Sequence, residues 1–435
     1  MSSTSHRIPR IVIVGGGAGG LELATGLGRT LGRRGQARII LIDANLTHIW
    51  KPLLHEVAAG TINSYEDELN YFAHGARHHF EFQLGRMDSL DRERKVVGLA
   101  ALTDAEGQVL AEGRELDYDH LVLAVGSTSN DFGTPGAREH CIFLDSRAQA
   151  DRFQSQFLNM YLRAHALPEG AASQAELNIA IVGAGATGVE LAAELHHAAH
   201  KFVEYGLDEI TPNRVNISLI EAADRILPVL PEATSIAARK QLEALGIKVF
   251  TRQKITDISA QGLQAESGLF IPASLKVWSA GIKADDHLRE LDGLETNRIN
   301  QFVVTPTLQS TRDARVFAFG DCASCTLPGQ SRPVPPRAQT ANQQAMYLIK
   351  ALPRHLAGKP VAEFRFQDKG SLISLSTSAV GVLMGSIGIQ GRFARLMYVS
   401  LYRLHQMALH GPFKTGVLLF KDLLSKNSGP TLKLH

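Results

Sequence analysis

The chain has 435 residues, 44% hydrophobic and 20% charged, which excludes a disordered protein and points to about three domains at roughly 150 residues each. Lys plus Arg number 45 and Asp plus Glu 43, so a net charge of +2 gives no general case for nucleic-acid binding. Three cysteines in this length exclude a disulfide scaffold and fit a reducing compartment.

The N-terminus leads into only four apolar residues, Ile11 to Val14, too few for the core of an export signal. Those four read instead as a buried parallel strand. The strand runs into Gly15-Gly16-Gly17-Ala18-Gly19-Gly20, which supplies G-x-G-x-x-G at Gly15, Gly17 and Gly20. Gly15 permits the tight turn, Gly17 lets a pyrophosphate approach the backbone, and Gly20 lets a helix pack on the strand. The pattern predicts that helix over Leu21 to Leu31. A second strand, Arg38 to Ile42, ends at Asp43, spaced to grip a ribose hydroxyl.

Two later strands end in small-residue turns, Leu121 to Ser127 with Gly126 and Val277 to Gly281. Between them the fingerprint recurs. Strand Ile179 to Val182 precedes Gly183-Ala184-Gly185-Ala186-Thr187-Gly188, and Val189 to His200 is helix-like. Strand Val215 to Ile220 ends at Glu221, 33 residues past Gly188, so the intervening helix and loop must be extended. A carboxylate here accepts from a free ribose 2′-hydroxyl and repels a 2′-phosphate, favouring NAD over NADP, with Arg225 a dissenting cation. Two dinucleotide sites fit a nicotinamide paired with a flavin.

Val316 to Asp321 is another strand ending in Gly-Asp. In Ala338-Gln339-Thr340-Ala341-Asn342-Gln343, the glutamines at i and i+4 share one helix face. Small Ala338 and Ala341 would leave room beside a flat ring, and an amide can donate to a quinone carbonyl. Two solvated glutamines on a helix is the plainer reading. Ser371 to Gly391 reads as strand–turn–strand, and no apolar run is long enough for a transmembrane helix.

From Gln390 onward the chain turns basic, with Asp422 its one acid. On a helix over Gly391 to His410, Arg392, Arg395, Arg403, Gln406 and His410 share one face, and Phe393, Leu396, Leu401, Leu404 and Met407 the other. Gly411-Pro412 breaks it. A second helix, Phe413 to Leu424, sets Lys414 and Lys421 opposite Val417 and Phe420. Such helices lie in a membrane interface, pack on their own core, or make a dimer contact.

These motifs, in this order, resemble the two-dinucleotide-binding-domain flavoproteins of glutathione-reductase-like fold, in which the first fingerprint holds FAD and the second NAD(P)H. Asp321 resembles the acid of the second FAD motif, which binds the ribitol. Lys51-Pro52-Leu53-Leu54-His55-Glu56-Val57 and Ala338 to Gln343 resemble the flavin-near segment and the quinone motif of type II NADH:quinone oxidoreductases. Glu190 follows the second fingerprint as does the family's acid that approaches flavin and nicotinamide.

The resemblance implies an α/β fold of two Rossmann-like domains plus a membrane-associating C-terminal region of amphipathic helices. The expected domains are FAD-binding 1–144 and 285–345, NADH-binding 145–284, and C-terminal 346–435, with the polar loop 167–176 entering the second fingerprint. FAD is expected at Gly15, Gly17, Ala18, Gly20, Asp43, Lys51, Gly126, Asp321 and Ala338. NADH is expected at Gly183, Gly185, Thr187, Gly188, Glu221 and Gly281. Glu190, Gln339 and Gln343 are the expected catalytic residues, and Arg392, Arg395, Arg403, Leu401, Leu404, Lys414 and Phe420 the expected membrane contacts. The implied enzyme is a non-proton-pumping NADH:quinone oxidoreductase, peripheral on the cytoplasmic face of a bacterial inner membrane. It would meet an anionic lipid surface and could dimerise through its C-terminal region.

No metal site is expected, because Cys322-Ala323-Ser324-Cys325 has no second C-x-x-C and the histidines lack ligand spacing. A sulfide:quinone oxidoreductase using Cys141 with Cys322 or Cys325, and a non-catalytic NADH sensor, are the competing readings.

Overall fold

The computed structural model describes residues 7–62, 68–104, 106–166, 176–289, 291–385, 387–425 and 432. Residues 167–175 of the expected entry loop lie outside the described residues. The chain divides into two compact units.

The first unit comprises residues 1–50, 68–128 and 282–367. Its centre is a five-stranded parallel sheet in the order Val316–Ala318, His120–Leu123, Arg10–Val14, Arg38–Asp43, Glu81–Leu84. The fingerprint strand is in the middle, and Ile11, Val12 and Ile13 are fully buried, as a run covered on both faces requires. The following helix is Ala18–Leu27, beginning earlier than its pattern predicts, and its last turn widens into a π-helical Gly28–Gly32. A Cβ at Gly28 or Gly32 would strike the carbonyl oxygen of His78 or His79, so these glycines admit a neighbouring chain. Strands Met87–Asp91, Val96–Leu99 and Arg114–Asp117 form an antiparallel sheet.

The second unit comprises residues 51–67, 129–281 and 368–435. It repeats the plan. Its parallel sheet runs Ile142–Phe143, Leu275–Trp278, Leu177–Val182, Val215–Ile220, Lys248–Phe250. Its antiparallel sheet is Ile255–Ile258, Gly262–Ala265, Phe270–Pro272. The long spacing to Glu221 is taken up by a 19-residue helix, Ala186–Glu204, and the loop after it. Residues 370–391 form three antiparallel strands, Gly370–Leu375, Ser378–Leu383 and Ile387–Gly391, one more than the sequence suggests. The helices Arg392–His410 and Pro412–Ser425 follow, separated at Gly411.

The limits of the units fall at 50/51, 67/68, 128/129, 281/282 and 367/368. Residues 346–356 complete the Ala338–Leu356 helix of the first unit, whereas strand Gly370–Leu375 bonds to helix Ala186–Glu204 of the second through Ser374 and Glu190. Among the described residues no helix is long and apolar enough to cross a membrane.

Candidate active site

In the first unit, the glycine loop leaves its strand with Gly15 at φ 102°, where a Cβ would collide with the backbone of Ala124. A Cβ at Gly20 would strike the Gly15 carbonyl, which is the close helix–strand approach a pyrophosphate cradle needs. Beside Gly17 there is open space. Asp43 accepts from the Gly16 N–H at 2.7 Å through Oδ2 and from the Asn45 N–H at 2.8 Å through Oδ1. Its carboxylate, whose Oδ1 also accepts from Asn45 Nδ2 at 3.0 Å, braces the loop and retains an Oδ2 lone pair for a ribose hydroxyl. Ser127 donates to Asp321 Oδ2 at 3.0 Å, next to Gly126 at φ 76°. An open Gly17, a braced Asp43 and a paired Asp321 fit a bound dinucleotide.

The helix Ala338–Leu356 starts beside this loop. The Ala341 Cβ lies against Gly19, on the fingerprint helix, and Gly320. Asn342 donates to buried Glu22 at 2.6 Å. Gln344, unremarked in the sequence, is buried and accepts from the Gly320 N–H at 2.8 Å, fixing the turn that carries Asp321. The signal for it was present, a fourth amide directly after Gln343. Gln343 is already engaged. Its Nε2 donates to the Gln367 carbonyl at 2.8 Å, and its Oε1 accepts from the Gln367 N–H at 3.0 Å. The same Nε2 lies 3.3 Å from Gln339 Oε1. Gln343 therefore ties down the chain at Gln367 and steadies Gln339, and does not present a free amide to a quinone.

In the second unit, Gly183 repeats Gly15, with φ 100° and no room for a Cβ against Ala280. Glu221 accepts from the N–H groups of Ala184 at 2.8 Å and Ala223 at 2.9 Å, as Asp43 does in the first unit. Thr187 is exposed in the first turn of the helix, beyond Gly185, and Gly188 is buried. Gly281 lies under the ring of Phe132. The Arg225 guanidinium donates to the carbonyls of Leu230 and Pro228, both at 3.0 Å, and holds its own loop together.

Glu190 is buried on the Ala186–Glu204 helix, in a cluster of ionisable groups. The Ser374 N–H donates to its Oε1 at 3.0 Å, and Tyr398 hydrogen-bonds to its carboxyl. His55 Nδ1 is 3.6 Å from its Oε2, and His55 Nε2 is 3.8 Å from Glu56 Oε1. Arg395 donates to Ser374 Oγ and lies 3.7 Å from Glu56. Burial, with Glu56 and Glu194 nearby, pushes the Glu190 carboxyl up to about 8 against the Ser374 and Tyr398 hydrogen bonds. Burial and Glu56 take Glu194 up to about 7. Burial and the Arg395 guanidinium push His55 down to about 3. At neutral pH the His55–Glu190 contact is accordingly between two neutral groups and is no ion pair.

Arg395 and Arg403 thus sit opposite to their expected placement. Their helix turns its polar side inward: Arg395 is held in the Glu56–Ser374 cluster, Arg403 donates to Gln406 at 2.7 Å, and His405 and Gln406 are buried. Phe393, Leu396, Leu401, Leu404 and Met407 are bare, as are Phe413 and Phe420 on the next helix. Arg392 and Lys414 remain exposed. Lys51 occupies a short 3-10 turn, Lys51–Leu53, of the second unit.

Cys141, Cys322 and Cys325 are buried free thiols pushed up by that burial, to about 12, 11 and 11. They remain protonated at neutral pH and are poor nucleophiles.

The Pyridine nucleotide-disulphide oxidoreductase family model matches residues 9–345. A type II NADH:quinone oxidoreductase of Haemophilus influenzae is 45% identical to this chain over 98% of it and 99% of the relative. One from Staphylococcus aureus is 29% identical over 89% of the chain and 92% of the relative. Among solved structures, the NDH2 of Plasmodium falciparum in complex with NADH matches with a TM-score of 0.82 and 20% identity. That match covers 98% of this chain and 100% of the other.

Proposed function

The chain belongs to the type II NADH:quinone oxidoreductases of the pyridine nucleotide-disulphide oxidoreductase family, and on that footing we propose that it oxidises NADH and reduces a membrane quinone without pumping protons. Bound FAD supplies the redox chemistry, accepting a hydride from NADH and delivering two electrons to the quinone. The observation that carries the reading is the duplicated cradle, a bent glycine loop braced by an acid, Asp43 in one unit and Glu221 in the other.

FAD would be held at Gly15, Gly17, Ala18, Gly20, Asp43, Gly126, Asp321 and Ala338. NADH is held at Gly183, Gly185, Thr187, Gly188, Glu221 and Gly281. Glu221 excludes a 2′-phosphate by charge, and Arg225 turns two of its guanidinium N–H groups to the carbonyls of its own loop. Glu190, largely protonated at neutral pH, adds no negative charge of its own to the Glu56–Glu194 cluster and can hold a proton on its carboxyl. Gln339 donates an amide N–H to a quinone carbonyl, steadied by Gln343.

The C-terminal helices dock on an anionic lipid surface at the cytoplasmic face of the inner membrane. Support comes from a bare apolar row of Phe393, Leu396, Leu401, Leu404, Phe413 and Phe420, each at least 42% exposed, beside exposed Arg392 and Lys414. The polar side of the first helix is occupied by its own unit, so only its apolar side is available for contact.

The deciding experiment is anaerobic absorbance in the visible flavin band on adding NADH and then a short-chain ubiquinone. Bleaching followed by recovery is expected. Bleaching without recovery would move the electrons to another acceptor, and absence of bleaching would overturn the reading.

A further inference from the structure

The carbonyl oxygen of Gly16 receives two buried side chains. Tyr71 Oη donates to it at 2.6 Å, and His48 Nδ1 lies at 2.9 Å. Tyr71 is 2% and His48 5% exposed. A carbonyl only accepts, so His48 must carry its proton on Nδ1. The two side chains reach this atom by design of the local chain. Strand Thr47–His48 pairs antiparallel with Leu69–Asn70, placing His48 opposite Leu69. Asn70 then caps the helix that Tyr71 begins, accepting from the Ala73 N–H at 3.0 Å. The Tyr71 ring stacks on Phe82 at 4.9 Å and meets His48 edge-on. Burial and the nearby Asp43 keep the Tyr71 hydroxyl protonated, hence a donor, at all ordinary pH.

The consequence follows from peptide geometry. In a planar trans peptide the carbonyl of one residue and the N–H of the next point in opposite directions. Anchoring the Gly16 carbonyl against Tyr71 and His48 directs the Gly17 N–H to the other side of that peptide, in a loop where even a Cβ on Gly17 would meet nothing within 4 Å. On the preceding peptide the Gly16 N–H is held by Asp43. Both peptides flanking Gly16 are therefore fixed.

The second unit performs the same task with different groups. The equivalent residue is Ala184: its N–H goes to Glu221, and its carbonyl accepts from the Leu227 N–H at 2.8 Å. There a backbone donor suffices and a Cβ fits. In the first unit a Cβ on Gly16 would lie 2.5 Å from Tyr71 Oη, so glycine is required by the tyrosine.

We infer that Tyr71 and His48 are positioning residues for the FAD pyrophosphate, aiming the Gly17 N–H by clamping the Gly16 carbonyl. The inference rests on the first fingerprint being the FAD cradle. The test is FAD release from diluted holoenzyme, followed by flavin fluorescence, together with the ³¹P resonances of the bound pyrophosphate. Tyr71→Phe should release FAD about tenfold more readily and shift those resonances. His48→Leu should do the same. His48→Asn, whose side-chain N–H can occupy the Nδ1 position, should restore wild-type behaviour. NADH binding at the second fingerprint should be unchanged in all three, and if Tyr71→Phe does not fold, the two His48 variants decide. Wild-type release and unshifted resonances in Tyr71→Phe and His48→Leu, or equal damage from His48→Leu and His48→Asn, would overturn the clamp. A wild-type protein that holds no FAD would overturn the cradle itself, a distinguishable result.

Discussion

The backbone N–H of Ser374 donates to Glu190 Oε1 at 3.0 Å, joining two residues 184 positions apart. Through this bond a helix that begins in a dinucleotide cradle meets the strand leading to the C-terminal helices. Glu190 is nonetheless largely protonated at neutral pH, because burial and neighbouring carboxylates outweigh that hydrogen bond.

A stability signature follows. The folded Glu190 titrates at about 8, above the roughly 4.3 of an unfolded glutamate. Between those values the folded state binds the extra proton, so this group's stabilising contribution is full below pH 4 and is lost as pH rises to 8. Glu190→Gln keeps the shape and removes the titration. Its melting temperature relative to wild type should rise steadily from pH 5 to 8, measured by calorimetry; a flat difference would show that Glu190 is ionised throughout.

Arg395 supplies the cation of the cluster, and Glu56 would lose it in Arg395→Gln. Breaking a mostly buried pair of this kind should cost about 1–3 kcal/mol, less than a fully buried one because Arg395 is partly exposed. The loss should grow between about pH 6 and pH 8, as Glu194 ionises, and Arg395→Lys should recover part of it. Thermal melts across pH read this directly.

Gln339→Ala should slow quinone reduction about 10- to 100-fold while leaving anaerobic flavin reduction by NADH intact, a split visible by stopped flow. Gln343→Ala should damage both less specifically, since its amide is spent on Gln367. Equal loss of both half-reactions in Gln339→Ala would remove its assigned role.

Coenzyme choice should depend on Glu221 and not on Arg225. Glu221→Ser should weaken NADH binding and narrow the NADH/NADPH ratio of kcat/KM by about tenfold or more. Arg225→Ala should leave that ratio unchanged while loosening the loop it braces.

Leu396→Glu with Leu404→Glu should reduce co-sedimentation with anionic vesicles about 100-fold or more, since two exposed leucines contribute about 1.5–3 kcal/mol each when buried. Wild-type binding to vesicles by this pair would refute lipid docking, and a change in oligomer mass instead would assign the face to a second copy. Deleting 391–435 is a poorer test, because it also removes Arg395 and Tyr398 from the Glu190 cluster.

The sequence alone determined the two glycine loops, their strands and acids, the amide-bearing helix and the break at Gly411. These are local: a tight turn needs glycine at Gly15 and Gly183, and a buried strand needs a continuous apolar run such as Ile11 to Val14. It could not assign inward and outward faces at the C-terminus. Helical periodicity places Arg395 opposite Leu396 and Leu404, but which side meets the protein depends on distant partners, here Glu56 and Ser374. Nor could it foresee that Gln343 is consumed by Gln367, that Ala341 lies against Gly19, or that Tyr71 and His48 meet on Gly16. Each of those depends on which distant segment the tertiary fold brings alongside, and the buried Gly16 carbonyl is satisfied only by what arrives beside it.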